Sequence, residues 1–183
     1  MDTATRPIWS TVEPGWPVRS EQVEGVTLGV PEGWRPEAAT PAVGGVTERA
    51  FTGRFPGELL AVAVMPEADP THNLRLWVDA TIALIGLPHP ALAPAGLLEW
   101  AAEGEQVGWA ADLGVDTCLT YQGVLGDSPN LNRCYVVLAR RGTTAWRIVL
   151  SLASAMLPGS PDEGVTAQDH VRAAAVFGGL RLG

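Results

Sequence analysis

The sequence predicts an α+β domain built on an antiparallel β-sheet, and three features point to it. Residues 115–125, 131–139 and 144–153 read as consecutive strands joined by turns, which makes an antiparallel meander. Residues 69–87 carry Leu74, Trp77, Val78, Thr81, Ile82 and Ile85 at i, i+3, i+4, i+7, i+8 and i+11, one mostly apolar helical stripe. Thr166 and Asp169 form a T-x-x-D capping pattern that opens a last helix.

Residues 1–24 are interrupted by Pro7, Pro14 and Pro17 and hold no sustained period, so they read as an N-terminal arm ahead of one domain over 25–183. The arm carries Trp9 and Trp16. Tryptophans are rarely left in water, so the arm docks either on its own domain or on a neighbouring subunit. The domain opens with a short strand over 26–30, where Val26, Leu28 and Val30 alternate with Thr27 and Gly29. Val30, Pro31, Glu32 and Gly33 fit a type I turn, with proline second and glycine fourth. Strands over 46–52 and 58–65 follow, with Pro56 and Gly57 in the turn between them.

The helix over 69–87 starts with Asp69 as N-cap and Pro70 in the first position, and it stops at Gly86, Pro88 and Pro90. Residues 91–114 are ambiguous: Leu97, Leu98, Trp100 and Ala101 suit a short helix or a strand, and Val107, Trp109, Ala111 and Leu113 alternate. In the meander, a loop over 126–130 sets Leu125 opposite Leu131, so partner numbers sum to 256. Cys118 then faces Leu138 and Cys134 faces Gln122, which is too far for a disulfide and leaves two free thiols. The last helix runs from Thr166 to about Phe177, with Val171, Ala174, Ala175 and Gly178 as a small-residue face for close packing.

The chain has 183 residues and a formal net charge of -8, and its 12 basic residues are all arginine. The absence of lysine matches the codon usage of a GC-rich genome. It excludes a Walker A phosphate loop and Schiff-base or pyridoxal chemistry. An acidic chain without a clustered basic face is not built for nucleic acid. Arg140 and Arg141 are adjacent, but they precede Gly142 in a hairpin turn. No segment is apolar for 18 residues, so no membrane span is expected. The first residues hold no apolar signal core and no lipid-attachment cysteine, so a cytoplasmic location is expected.

The order of elements and the run Val26-Thr27-Leu28-Gly29-Val30-Pro31-Glu32-Gly33-Trp34 resemble the PsbP-like family. In that family an apolar strand enters a Pro-x-Gly-Trp turn. The run Gly142-Thr143-Thr144-Ala145-Trp146-Arg147-Ile148 resembles the family's hairpin into a central strand. The family includes a photosystem extrinsic subunit, a Ran-binding factor, actinobacterial lipoproteins and secretion-effector chaperones. The resemblance implies an antiparallel sheet flanked by helices, an α/β/α sandwich, and a mostly non-enzymatic role built on protein contacts. It carries over no functional residue, because the shared motif is structural.

Several residue groups invite chemistry. Gly126-Asp127-Ser128 is similar to the nucleophile block of a serine esterase, with His170 as base, but Asp169 and His170 are adjacent rather than three apart. Glycine, aspartate, serine, proline and asparagine are also ordinary turn residues. His72, His89 and His170 lie far apart, and Glu67, Asp69 and His72 lack the spacing of a metal site. Glu99, Glu103 and Glu105 around Trp100 read as a solvated acidic face.

Seven tryptophans against two tyrosines and three phenylalanines are the unusual feature. Trp34, Trp77 and Trp146 sit where core packing explains them; Trp9, Trp16, Trp100 and Trp109 do not. Aromatic residues concentrate at interface hot spots. The sequence therefore predicts a non-catalytic protein-binding or adaptor domain, without cofactor or metal, contacting another protein through Trp9, Trp16, Trp100 and Trp109. A homodimer through the N-terminal arm is the favoured assembly. The alternatives are a small serine hydrolase using Ser128 and His170, or a carrier of an apolar ligand.

Overall fold

A computed structural model of the chain describes residues 6–38, 40–43, 45–66, 97–125, 131–154 and 163–183. The expected helix over 69–87, the 126–130 loop with Ser128, and His72, Trp77 and His89 lie outside the described residues. A 3-10 turn, Ile8–Thr11, precedes strands β1 (Val18–Val23), β2 (Val26–Pro31), β3 (Arg35–Pro36), β4 (Thr40–Val43), β5 (Val46–Thr52) and β6 (Leu59–Met65). Then come β7 (Leu97–Glu105), helix α1 (Val107–Leu113), β8 (Thr117–Leu125), β9 (Leu131–Arg141), β10 (Thr144–Ser154), helix α2 (Glu163–Phe177) and β11 (Arg181–Leu182). The described fold is thus α+β, with two antiparallel sheets. An eight-stranded sheet runs β3-β5-β6-β10-β9-β8-β7, with β4 also on β5, and a three-stranded sheet runs β1-β2-β11.

The meander is present, but one residue out of the expected register. Leu125 pairs with Asn132, Gly123 with Cys134 and Cys118 with Ala139, so partner numbers sum to 257. A one-residue slip turns every side chain to the other face of its strand. Cys118 and Cys134 therefore sit on opposite faces. Both are free and buried, and burial pushes both thiols up to about 12, so they remain protonated packing groups.

The central strand β9 is buried at nine consecutive positions, because both of its faces are covered. One face, with Tyr135, Val137, Trp146, Ile148 and Leu150, shares a core with Val26, Leu28 and Val30 of the small sheet and Val176 and Phe177 of α2. The other face carries Leu59, Ala61, Cys134, Val136, Leu138 and Val149.

Four local expectations change. The arm contains a strand: β1 pairs with β2 through a two-residue turn in which Glu24 and Gly25 have φ of 50° and 79°. This is the hairpin geometry that Asn-Gly usually signals, and Glu-Gly hides it. The turn after β2 spans Pro31–Trp34, since Trp34 N–H bonds Pro31 O at 3.1 Å and Gly33 takes φ 83°. Glycine is thus third, as in a type II turn, because β2 continues through Pro31. The ambiguous stretch resolves into strand β7 and then α1, whose seven residues are too few for alternation to separate strand from helix. Gly114 closes α1 in the left-handed region, φ 65°. Finally, α2 begins at Glu163, so Thr166 lies inside the helix and is not its cap.

The small-residue face of α2 packs closely, as its composition suggests. A β-carbon at Gly29 of β2 would stand 2.7 Å from the Ala175 carbonyl oxygen, so only glycine admits the helix at this distance.

Candidate functional site

The site is built around the 3-10 turn. Ser10 Oγ donates to Pro7 O at 2.7 Å, and Val12 N–H donates to Trp9 O at 3.2 Å, which closes the turn and rolls Trp9 inward. The Trp9 ring lies between sheet and helix. It is edge-on to Tyr135 of β9 at 5.2 Å and to Trp109 of α1 at 6.2 Å, and tilted against Phe177 of α2 at 5.6 Å. It is 1% exposed, and its Nε1 has no hydrogen-bond acceptor among the described residues.

A recess of about 350 Å³ lies over this cluster, lined among others by Trp9, Val12, Trp109, Ala174 and Phe177. Arg6 and Asp112 stand at its rim, joined by bonds of 2.9 and 3.1 Å, and both are largely exposed. An exposed ion pair of this kind contributes about 0–1 kcal/mol, so it is easily opened. The elements that wall the recess also carry two large exposed hydrophobics, Ile8 at 47% and Val107 at 58%.

The four tryptophans singled out in the sequence separate. Trp9 and Trp109 meet in the core and line the recess, with Trp109 8% exposed. Neither is an exposed anchor, which corrects the view that core packing does not explain them. Trp16 is half-buried elsewhere: it stands edge-on to Trp34 at 5.8 Å and under the Arg172 guanidinium at 4.6 Å. This cation–π contact ties the arm to α2. Trp100 is on β7, paired with Gly123 of β8, and its side chain lies outside the described residues.

Beneath α2 lies a polar network that sequence reading missed. Arg133 of β9 bonds Asp169 Oδ2 at 3.2 Å and Thr166 Oγ1 at 3.0 Å. Ser154 Oγ donates to Asp169 Oδ2 at 2.7 Å. Arg172 reaches Asp169 at 3.5 Å, Glu58 at 3.6 Å and the Ala153 carbonyl at 3.1 Å. The T-x-x-D pattern is therefore a pair of side chains one helical turn apart that grips a buried arginine. Its signal was present in the sequence, but a capping box and a gripping pair share the same spacing.

His170 takes a different partner from its neighbour. Its Nδ1 lies 2.8 Å from Tyr135 Oη in a hydrogen bond, while the Asp169 carboxylate is committed to Arg133, Ser154 and Arg172. The acid–histidine contact a hydrolase needs is thus not formed by Asp169 and His170. Ser128 lies outside the described residues. Burial, and then the Arg133 charge, hold the His170 pKa below its ordinary 6.5 against an opposing effect of Asp169.

The folded protein thus favours the neutral imidazole, and below pH 6.5 the unfolded chain binds more protons. This contribution to stability is complete above 6.5 and is lost as pH falls through the lower folded value. The melting temperature of the native chain should fall more steeply below pH 6.5 than that of His170→Gln, and parallel thermal melts from pH 8 to 5 check this.

Among the described residues no three histidine, cysteine, aspartate or glutamate side chains group to hold a metal ion, and no helix is long and apolar enough to cross a membrane. Glu67, Asp69 and His72 lie outside the described residues, as do the side chains of Glu99, Glu103 and Glu105. The chain matches no family model and no curated protein.

Proposed function

We propose that this chain is a non-catalytic binding domain of the PsbP-like kind, which holds a protein partner at the face made by the 3-10 turn, α1 and α2. One observation carries the reading: an aromatic-lined recess of about 350 Å³ is walled by the 3-10 turn, α1 and α2, and the first two of these also carry the exposed hydrophobics Ile8 and Val107. Concave sites lined by apolar and aromatic side chains are where partners and ligands seat. The partner inserts one apolar side chain over Trp109, and its flanks pack on Ile8 and Val107. Deeply seated aromatic anchors of this type dominate interface energetics. The PsbP-like fold is supported by the described antiparallel sheet, by helix α2 against it, and by the strand that enters the Pro31–Trp34 turn. The engagement of Asp169 with Arg133, Ser154 and Arg172, rather than with His170, supports binding over hydrolysis.

Selection of a random displayed-peptide library on the purified chain tests the proposal. Enriched peptides should share a large apolar residue. Their affinity should fall at least about 10-fold in Val107→Asp and in Ala174→Met, which fills the recess, since one buried apolar contact is worth a tenfold change or more. Phe55→Ser, at an exposed position in the β5–β6 turn, should change nothing. No enrichment, or binding indifferent to both variants, overturns the reading.

A further inference from the structure

The outer edge of β1 is unpaired among the described residues, since β1 ends the order β1-β2-β11. Which backbone groups face outward is fixed by parity. Val23 and Val26 flank the two-residue turn, and Glu32 N–H bonds Pro17 O at 3.0 Å, so residues 17, 19, 21 and 23 turn their backbone groups toward β2. Val18, Ser20 and Gln22 turn theirs outward, and the side chains of Ser20 and Gln22 are exposed. Beside this strand a cleft of about 360 Å³ separates β1 from β5. A bare strand edge is a template for another strand.

The occupant follows from the charge pattern. Arg19 and Glu21 share one side of β1 and already pair with each other, flanking Ser20. We propose that two copies of this chain join through their β1 strands, antiparallel and related by a two-fold axis, with Ser20 opposite Ser20 of the partner subunit. In that register Arg19 lies opposite Glu21 of the partner subunit and Glu21 opposite Arg19 of the partner subunit. Val18 lies opposite Gln22 of the partner subunit, so every outward-facing backbone pair is matched. Sliding the strands by two residues places Glu21 against Glu21 of the partner subunit, or Arg19 against Arg19 of the partner subunit. Like charges directly opposite are destabilising, so a single register is selected. Each residue meets its counterpart's complement, as an isologous contact requires. The two small sheets become one six-stranded sheet. The surface belongs to the N-terminal arm, yet it uses neither Trp9 nor Trp16, whose packing is internal.

Sedimentation of the full chain over a range of concentrations should give twice the 19.3 kDa chain mass at the high end. Ser20→Pro removes an outward N–H while sparing every β1–β2 hydrogen bond, and should weaken dimerisation at least about 10-fold with little change in melting temperature. Ser20→Cys places two thiols at the two-fold axis, where α-carbons of a hydrogen-bonded pair lie about 5.5 Å apart, within disulfide range. Mild oxidation should then give a covalent dimer, and the native thiols, being buried, do not compete. A chain monomeric at all concentrations overturns the proposal. So does a dimer that survives Ser20→Pro, or a Ser20→Cys chain that does not cross-link. If Ser20→Pro fails to fold, the cross-link decides alone.

Discussion

Trp9→Ala is expected to lose about 3–5 kcal/mol of stability, the range for removing a fully buried aromatic ring. A domain of this size is stable by about 5–15 kcal/mol, so the variant will stand near the threshold of folding. The reason is position. Trp9 is 1% exposed and touches three rings, Tyr135, Trp109 and Phe177, which come from three different elements. Its removal opens one cavity shared by the sheet and both helices. It also loosens the part of the arm ahead of β1, which then keeps the Arg6–Asp112 pair and the Trp16 contact. Trp9→Phe separates these effects. It keeps most of the apolar area and removes an indole N–H that has no acceptor among the described residues. Discarding an unsatisfied buried donor offsets part of the lost packing, so Trp9→Phe should cost about 1 kcal/mol or less. Urea melts of the three chains check the order. A Trp9→Ala chain within 1 kcal/mol of native would mean that the turn does not hold its place in solution.

The second large effect is expected at Asp169. Asp169→Ala should cost about 3–5 kcal/mol, because it strips a carboxylate from beside an arginine that stays buried. Arg133 and Asp169 side chains are 9% and 2% exposed, so water cannot replace the lost contact. In a chain of this length each kcal/mol moves the melting temperature by about 2–4 °C, which predicts a fall of about 10 °C. The double replacement Arg133→Met with Asp169→Leu should recover much of it, since well-packed apolar pairs often match a buried ion pair. Thermal melts of native, single and double variants form the test. A double variant worse than the single one would show that the charges, not the packing, hold α2 against β9.

The strands were legible because their cause is local. The runs over 46–52 and 131–139 show β-branched and apolar residues in sequence, and any fold that buries them must pair them. The position of Gly57 in a turn was legible for the same reason: it takes φ 78°, which glycine alone adopts freely. The meander register was not, because it depends on how many residues the connecting loop uses, and a change of one puts Cys118 and Cys134 on opposite faces instead of the same one. Nor was β1, because an edge strand with one exposed side need not be apolar, and Arg19, Ser20, Glu21 and Gln22 satisfy it as well as any residues do.

The candidate site divides in the same way. The surplus of tryptophan marked Trp9 and Trp109 as unusual, and the composition excluded lysine chemistry without any structure. That the two rings, 100 residues apart in sequence, meet edge-on is a property of chain closure. The same holds for Asp169 and Arg133, which are 36 residues apart and read separately as a cap and a strand residue. Propensity, period and turn chemistry act between neighbours in sequence, so the chain alone determined its α+β class, its meander and its stock of aromatic rings. Register, the partner of each buried charge and the recess over Trp9 depend on groups brought together only when the core forms. Their energies exist only after solvent has been excluded, so the tertiary structure alone decided them.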